Sequence, residues 1–172
     1  LAPTASTTAN LVMGDALAIA MLEQSGFTAE DFAFTHPGGA LGRRLLTRVS
    51  DVLVTGSDIP KVSLTMSLAD ALMEISAKGL GMSTVVDDND RLLGIFTDGD
   101  LRRALEQDYD LRKTQVEAVM SKGAKTISAD ALAAEAVARM EADSISALVV
   151  TDENERVAGA VQLLALLRAG VV

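Results

Sequence analysis

At 172 residues with 49% hydrophobic side chains, the chain is long enough to bury one good core. It has no cysteine, which removes disulfides and thiolate zinc sites and leaves the redox compartment open. A formal charge of −9, one Tyr, no Trp and no clustered Lys/Arg stripe supply neither phosphate tracking nor base stacking, so a nucleic-acid partner is excluded.

The opening run Leu1-Ala2-Pro3-Thr4-Ala5-Ser6-Thr7-Thr8 is small and hydroxyl-rich. It starts in the middle of a pattern rather than with Met or a signal peptide, so the chain reads as a fragment of a cytoplasmic protein. A nearly all-apolar helix is expected from about Asn10 to Glu23, broken only by Gly14 and Asp15, with Gly26 where a C-cap belongs. Such a helix is normally buried on several sides. It is too short to span a bilayer, so no membrane partner is expected. A short helix should start at Thr28, with Asp31 three residues on, and the segment His36-Pro37-Gly38-Gly39-Ala40-Leu41-Gly42-Arg43-Arg44 follows. Residues 1–46 have no room for a core of their own. His36 has no partner base, nucleophile or second metal ligand in view, and Pro37 with two glycines explains a turn by itself.

From residue 47 the chain says the same thing twice. Gly94-Ile95-Phe96-Thr97-Asp98-Gly99-Asp100-Leu101 returns 65 residues later (159 − 94) as Gly159-Ala160-Val161-Gln162-Leu163-Leu164-Ala165-Leu166, with the apolar pattern kept and the polar groups gone. Val85 and Val150, Asp87 and Asp152, Arg91 and Arg156, and Arg103 and Arg168 fall on the same offset. This period is too long for a solenoid unit, so residues 47–108 and 109–172 are expected to be two αβ halves packed face to face. Each reads as strand, helix, strand, strand, helix. Ser67 and Asp70 are spaced as a capping box, and Leu68, Ala71, Leu72 and Ile75 form a core stripe echoed by Ala133, Ala136, Val137 and Met140. Thr84 to Val86, an acidic turn, and Leu92 to Phe96 form a hairpin, repeated by Leu148 to Val150 and Val157 to Val161. Methionines 66, 73, 82, 120 and 140 are expected as core filler. The acidic tips lack calcium-loop spacing, so no metal site is expected.

On these residues, from about 48 to 172, the chain resembles a tandem pair of CBS domains. The resemblance implies an α+β fold with two β-α-β-β-α repeats about a pseudo-twofold axis and nucleotide clefts between them. The APTASTTA opening, Met13 to Ala18, the HPGGALGRRLL segment and the Leu167 to Val172 ending resemble arabinose 5-phosphate isomerases, in which a sugar isomerase (SIS) domain precedes a CBS pair. That likeness implies that residues 1–46 are the end of an SIS domain, that His36 belongs to its active site, and that the remaining catalytic residues lie outside this chain. No turnover, cofactor or metal is therefore expected of it.

Thr97 and Asp100 each suit helix capping. Together, at the end of a strand in a duplicated frame, they favour ligand binding, the hydroxyl and free N–H groups suiting phosphate and the carboxylate suiting ribose hydroxyls. The expected cleft is lined by Lys61, Val62 and Ser63, by Gly81, Met82 and Ser83, and by Thr97, Asp98 and Asp100, with Arg102 or Arg103 reaching a phosphate. Gln162 and Ala165 replace Thr97 and Asp100 in the twin, so one polar cleft per chain is expected. The isomerase resemblance makes the pathway's activated end product, CMP-Kdo, the expected effector, with AMP or ATP as the alternative and a ligand-free structural pair as the third reading. Apolar helix surface implies a homo-oligomer, at least a dimer of pairs, within a tetrameric whole protein.

Overall fold

A computed structural model describes residues 3–28, 31–32 and 39–171. Helix α1 spans Thr4–Ser25 and ends at Gly26 in the left-handed conformation, as the C-cap requires. It begins about six residues before the expected Asn10, because Thr7 and Thr8 return their hydroxyls to the carbonyls of Pro3 and Thr4 and so satisfy a hydroxyl-rich first turn. None of its residues is buried, and Leu11, Met13, Ile19 and Met21 are each at least 60% exposed. Burial on several sides therefore does not occur within this chain. At 22 residues it is also long and apolar enough, by length and composition alone, to cross a membrane. The core helix of a globular protein passes the same test. Thr28 and Asp31 cap the next turn reciprocally, and these bonds hold the exposed Asp31 carboxyl below the usual carboxylate range, the Thr28 backbone N–H contributing most. Helix α2 spans Ala40–Leu46. His36 lies outside the described residues.

Two three-stranded sheets follow, each with one parallel and one antiparallel pairing. In the first, β1 (Lys61–Ser63) runs parallel to β2 (Met82–Val86), which pairs antiparallel with β3 (Leu92–Thr97). The second repeats this with β4 (Thr126–Ile127), β5 (Ala147–Thr151) and β6 (Val157–Gln162). The helices are α3 (Leu68–Lys78), α4 (Asp98–Glu106), α5 (Ala133–Asp143) and α6 (Leu163–Arg168). Helix α3 buries Leu68, Ala71 and Ile75, and α5 buries Ala133, Ala136 and Met140, so the expected stripes face the core. Met73, 71% exposed, is not core filler: it stands one residue beyond the stripe, on the solvent side of α3. Both hairpins turn in the same way. Asp87 accepts the N–H groups of Asn89 and Arg91, Asp152 accepts those of Asn154 and Arg156, and Asp90 and Glu155 take positive φ.

The halves are laced together. Val49, at the start of the first copy, is fully buried in the helical core of the second, while Val116, at the start of the second, is fully buried in the core of the first. A third cluster, Ile59, Leu80, Met82, Val149, Val157 and Ala160, fills the space between the sheets. The hairpin tips also pair, Leu92 N–H donating to Glu155 O and Val157 N–H to Asp90 O. Each copy's lead-in crosses the other copy's strand at a glycine. A Cβ on Gly94 would stand 2.5 Å from Ser121 O, and one on Gly159 would stand 2.7 Å from Val54 O, so no larger residue fits either crossing.

Candidate functional site

Strand β3 runs straight into α4, and Thr97 sits at the corner with extended backbone as its N-cap. Its hydroxyl accepts the Asp100 N–H at 3.2 Å and donates to Asp100 Oδ2 at 2.6 Å, while Thr97 N–H donates to the same oxygen at 2.8 Å. This is a complete capping box. Asp100 is 1% exposed, and its Oδ1 takes the Ser121 hydroxyl at 2.6 Å and the Arg103 guanidinium. Because the one proton of the Thr97 hydroxyl goes to Asp100, Thr97 offers only a lone pair to anything else.

Beside this corner lies a cavity of about 620 Å³ built by both copies. The first copy supplies Leu80, Gly81, Met82, Ile95, Thr97, Asp98 and Gly99, and the second supplies Gly123, Lys125, Ser144, Ile145, Ser146, Ala147 and Val149. The walls are mostly apolar, and the polar groups gather at the start of α4, whose first N–H groups have no intrahelical acceptors. Gly81 takes φ +69°, and the Asp98 carboxylate lies 3.8 Å from where its Cβ would be, so this exposed carboxylate overhangs the turn. Lys125 brings an ammonium to the rim, 3.2 Å from Asp143. The set can hold a flat apolar ring between aliphatic walls, with hydroxyl-bearing or charged parts near Thr97, Asp98 and Lys125.

Of the residues expected in the cleft, Gly81, Met82, Thr97 and Asp98 line the cavity, and the others stand elsewhere. Lys61 pairs with Asp90 at the hairpin tip, 2.9 Å away. Val62 is buried in the first helical core, and Ser63 Oγ lies 3.4 Å from Thr65 Oγ1. Ser83 is buried with its hydroxyl unpaired. Asp100 and Arg103 face each other and Ser121, and Arg102 is exposed and outside the lining. Strand alternation separates these groups: Met82 belongs to the cluster between the sheets, whereas Val62 and Val85 face the helices. The contribution of Lys125, Ser144, Ile145 and Ser146 went unnoticed in the sequence. The 65-residue offset holds the clue, since it maps Leu80 and Gly81 onto Ile145 and Ser146, and a pseudo-twofold brings such equivalents to one crevice.

The twin corner is closed. Gln162 makes no side-chain cap, and its amide reaches Gly79 O at 3.4 Å across the copies. The Leu163 N–H, first in α6, donates to Ser146 O at 2.9 Å, and the matching bond from Asp98 to Gly81 is absent.

The CBS domain family matches residues 49–107 and 116–171. Among curated proteins, the chain is 58% identical over all 172 residues to an arabinose 5-phosphate isomerase KdsD of Pseudomonas aeruginosa, of which it covers 53%. It is 52% identical to that of Escherichia coli, of which it covers 52%. The chain thus spans about half the length of the curated relatives it matches. Among solved structures, it is similar to the CBS domain pair of protein MJ0100 in complex with 5′-methylthioadenosine and S-adenosyl-L-methionine, at 25% identity and TM-score 0.63, covering 71% of this chain and 98% of that one. The fold is also that of CBSX2 in complex with AMP, at 21% identity and TM-score 0.62, covering 73% and 96%.

Proposed function

The chain belongs to the CBS domain family, and from that premise we propose that it is the regulatory part of an arabinose 5-phosphate isomerase, its single polar cleft binding a nucleotide or nucleotide sugar. The observation that carries this reading is the cavity shared by the two copies, with the free start of α4 on one wall and Lys125 on the other. Identity of 58% and 52% to proteins named arabinose 5-phosphate isomerase, over every residue of the chain, supports the parent activity. In this reading residues 1–46 are the end of the isomerase domain, with His36 in its active site, and residues 47–108 and 109–172 are the sensor. The protein is cytoplasmic and homo-oligomeric, a dimer of CBS pairs within a tetramer, and the exposed apolar face of α1 lies against the rest of the isomerase domain.

The ligand sits with its base between the aliphatic walls and its ribose at the corner. Thr97 accepts a ribose hydroxyl, and Asp98, the carboxylate that lines the cavity, accepts the neighbouring one. A negative Asp98 beside the helix start favours one phosphate ester over a chain of phosphates. CMP-Kdo fits this description and carries the feedback logic: it binds one arrangement of the isomerase domains better than another and so shifts their activity. An adenine nucleotide is the second reading, favoured by the similar MJ0100 pair solved with two adenosine compounds.

A melting-temperature panel with AMP, S-adenosylmethionine, CMP and CMP-Kdo tests both. A ligand at 100 times its Kd should add about 2.7 kcal/mol of stability, and Thr97→Val should abolish the shift. No shift with any of the four sinks the nucleotide reading. A larger shift with AMP than with CMP-Kdo at equal concentration moves the assignment to the adenine nucleotide.

A further inference from the structure

The Asp100 side chain is wholly buried yet absent from the cavity wall. Its two oxygens hold two different parts of the molecule. Oδ2 holds Thr97, which lines the cavity, and Oδ1 holds Ser121, which belongs to the lead-in of the second copy. The Ser121 backbone is paired with Ile95 in both directions at 2.9 Å, and Gly123 and Lys125, just beyond it, form the opposite wall. Every contact with Oδ1 is a bond to a charged acceptor, the class that weighs most when buried.

The second copy shows what the crossing needs. Val54 and Ala160 make the same paired crossing at 2.8 and 3.2 Å, with no hydroxyl on Val54 and an alanine, Ala165, where Asp100 stands in the first copy. The backbone crossing therefore stands without a polar lock. The lock exists only where the cavity is open.

We propose that Asp100 is a positioning residue: with Ser121 and Arg103 it locks the second copy's lead-in to the corner at Thr97, fixing the spacing of the two cavity walls, and it acts on a ligand through them without touching it. The lock also fixes the Thr97 proton, so that Thr97 meets the ligand as an acceptor. Losing it lets the walls drift and frees that hydroxyl to rotate.

The test has two arms on the 172-residue chain, with Ser121→Ala, Ser121→Thr and Asp100→Asn. In the first, without ligand, amide exchange at Ile95 and Ser121 should quicken by about tenfold or more in Ser121→Ala, the weight of one hydrogen bond to a charged group. Ser121→Thr should restore slow exchange, and Val54 and Ala160 should exchange as in the unaltered chain. Unchanged exchange at Ile95 and Ser121 in Ser121→Ala overturns the lock. The second arm rests on the nucleotide reading and compares AMP with 2′,3′-dideoxy-AMP. The ratio of their dissociation constants should be the same in Asp100→Asn as in the unaltered chain, both being weakened together. A ratio that collapses toward one in Asp100→Asn means that the carboxylate grips the ribose, and overturns the positioning role. Failure of AMP to bind the unaltered chain counts against the nucleotide reading, and the exchange arm still decides the lock.

Discussion

In the first copy the strand-to-helix corner carries Thr97, Asp98 and Asp100, with a reciprocal cap, a buried carboxylate and an open cavity beside it. In the second the same corner carries Gln162, Leu163 and Ala165, its first amide is spent on Ser146, and the glutamine reaches across to Gly79. The backbones nevertheless match through the hairpin turns, the parallel and antiparallel pairings and the glycine crossings. Duplication preserved what packing requires at both places, and polar chemistry remained where a ligand can use it. Architecture and site are separable in this fold, and substitutions should sort the two.

The largest effects are expected where the copies agree. Gly94→Ala and Gly159→Ala each push a methyl into a backbone carbonyl of the crossing lead-in, and each should cost about 3 kcal/mol by urea unfolding. A cheap substitution at either position would mean that the crossings are not equivalent. Next come the exchanged valines: Val49→Ala and Val116→Ala should each cost about 2 kcal/mol, the weight of a fully buried valine. If the copies were independent units, Val49→Ala would weaken the first copy alone. The lacing described above instead places the loss in the second, as exchange at Met140 and Leu148 would report.

Smaller effects sharpen the contrast between capped and uncapped helices. Ser67 caps α3 through the Asp70 N–H, so Ser67→Ala should cost about 1 kcal/mol. Leu132 stands at the same place before α5 without a side-chain bond, and Leu132→Ser should add up to about 1 kcal/mol. The smallest effect concerns acid. Asp87 is held below the usual carboxylate range by the N–H groups of Arg91 and Asn89, with weaker help from the charges of Arg91 and Arg156, against a small opposing effect of burial. A depressed carboxyl lends stability above its unfolded pKa and loses it as pH falls through the folded value. Urea midpoints followed downward from neutral pH should therefore converge for Asp87→Asn and the unaltered chain below about pH 4. A gap that widens with acid would reverse the assignment.

Most of the architecture was legible because periodicity reports packing. The stripe Leu68, Ala71, Ile75, the capping pair Ser67 and Asp70, and the hairpin flanked by Asp87 all rest on local spacing, and the 65-residue return identified the twin. Two kinds of fact were not local. The far wall of the cavity, Lys125 and Ser144 to Ala147, comes from the other copy, and no spacing within one repeat points to it. The direction in which Asp100 turns was equally hidden, since a carboxylate three residues after Thr97 suits a cap and a ribose alike, and only the position of Ser121, 21 residues on, decides between them. Helix α1 shows the converse error: its apolar composition was plain, but composition does not say which surface covers it.

Titration calorimetry of the chain with AMP and with CMP-Kdo tests the asymmetry of the two corners most directly. One site per chain, lost in Thr97→Val and kept in Gln162→Ala, is the expected result. Two equal sites per chain, or binding that survives Thr97→Val and disappears in Gln162→Ala, would contradict it.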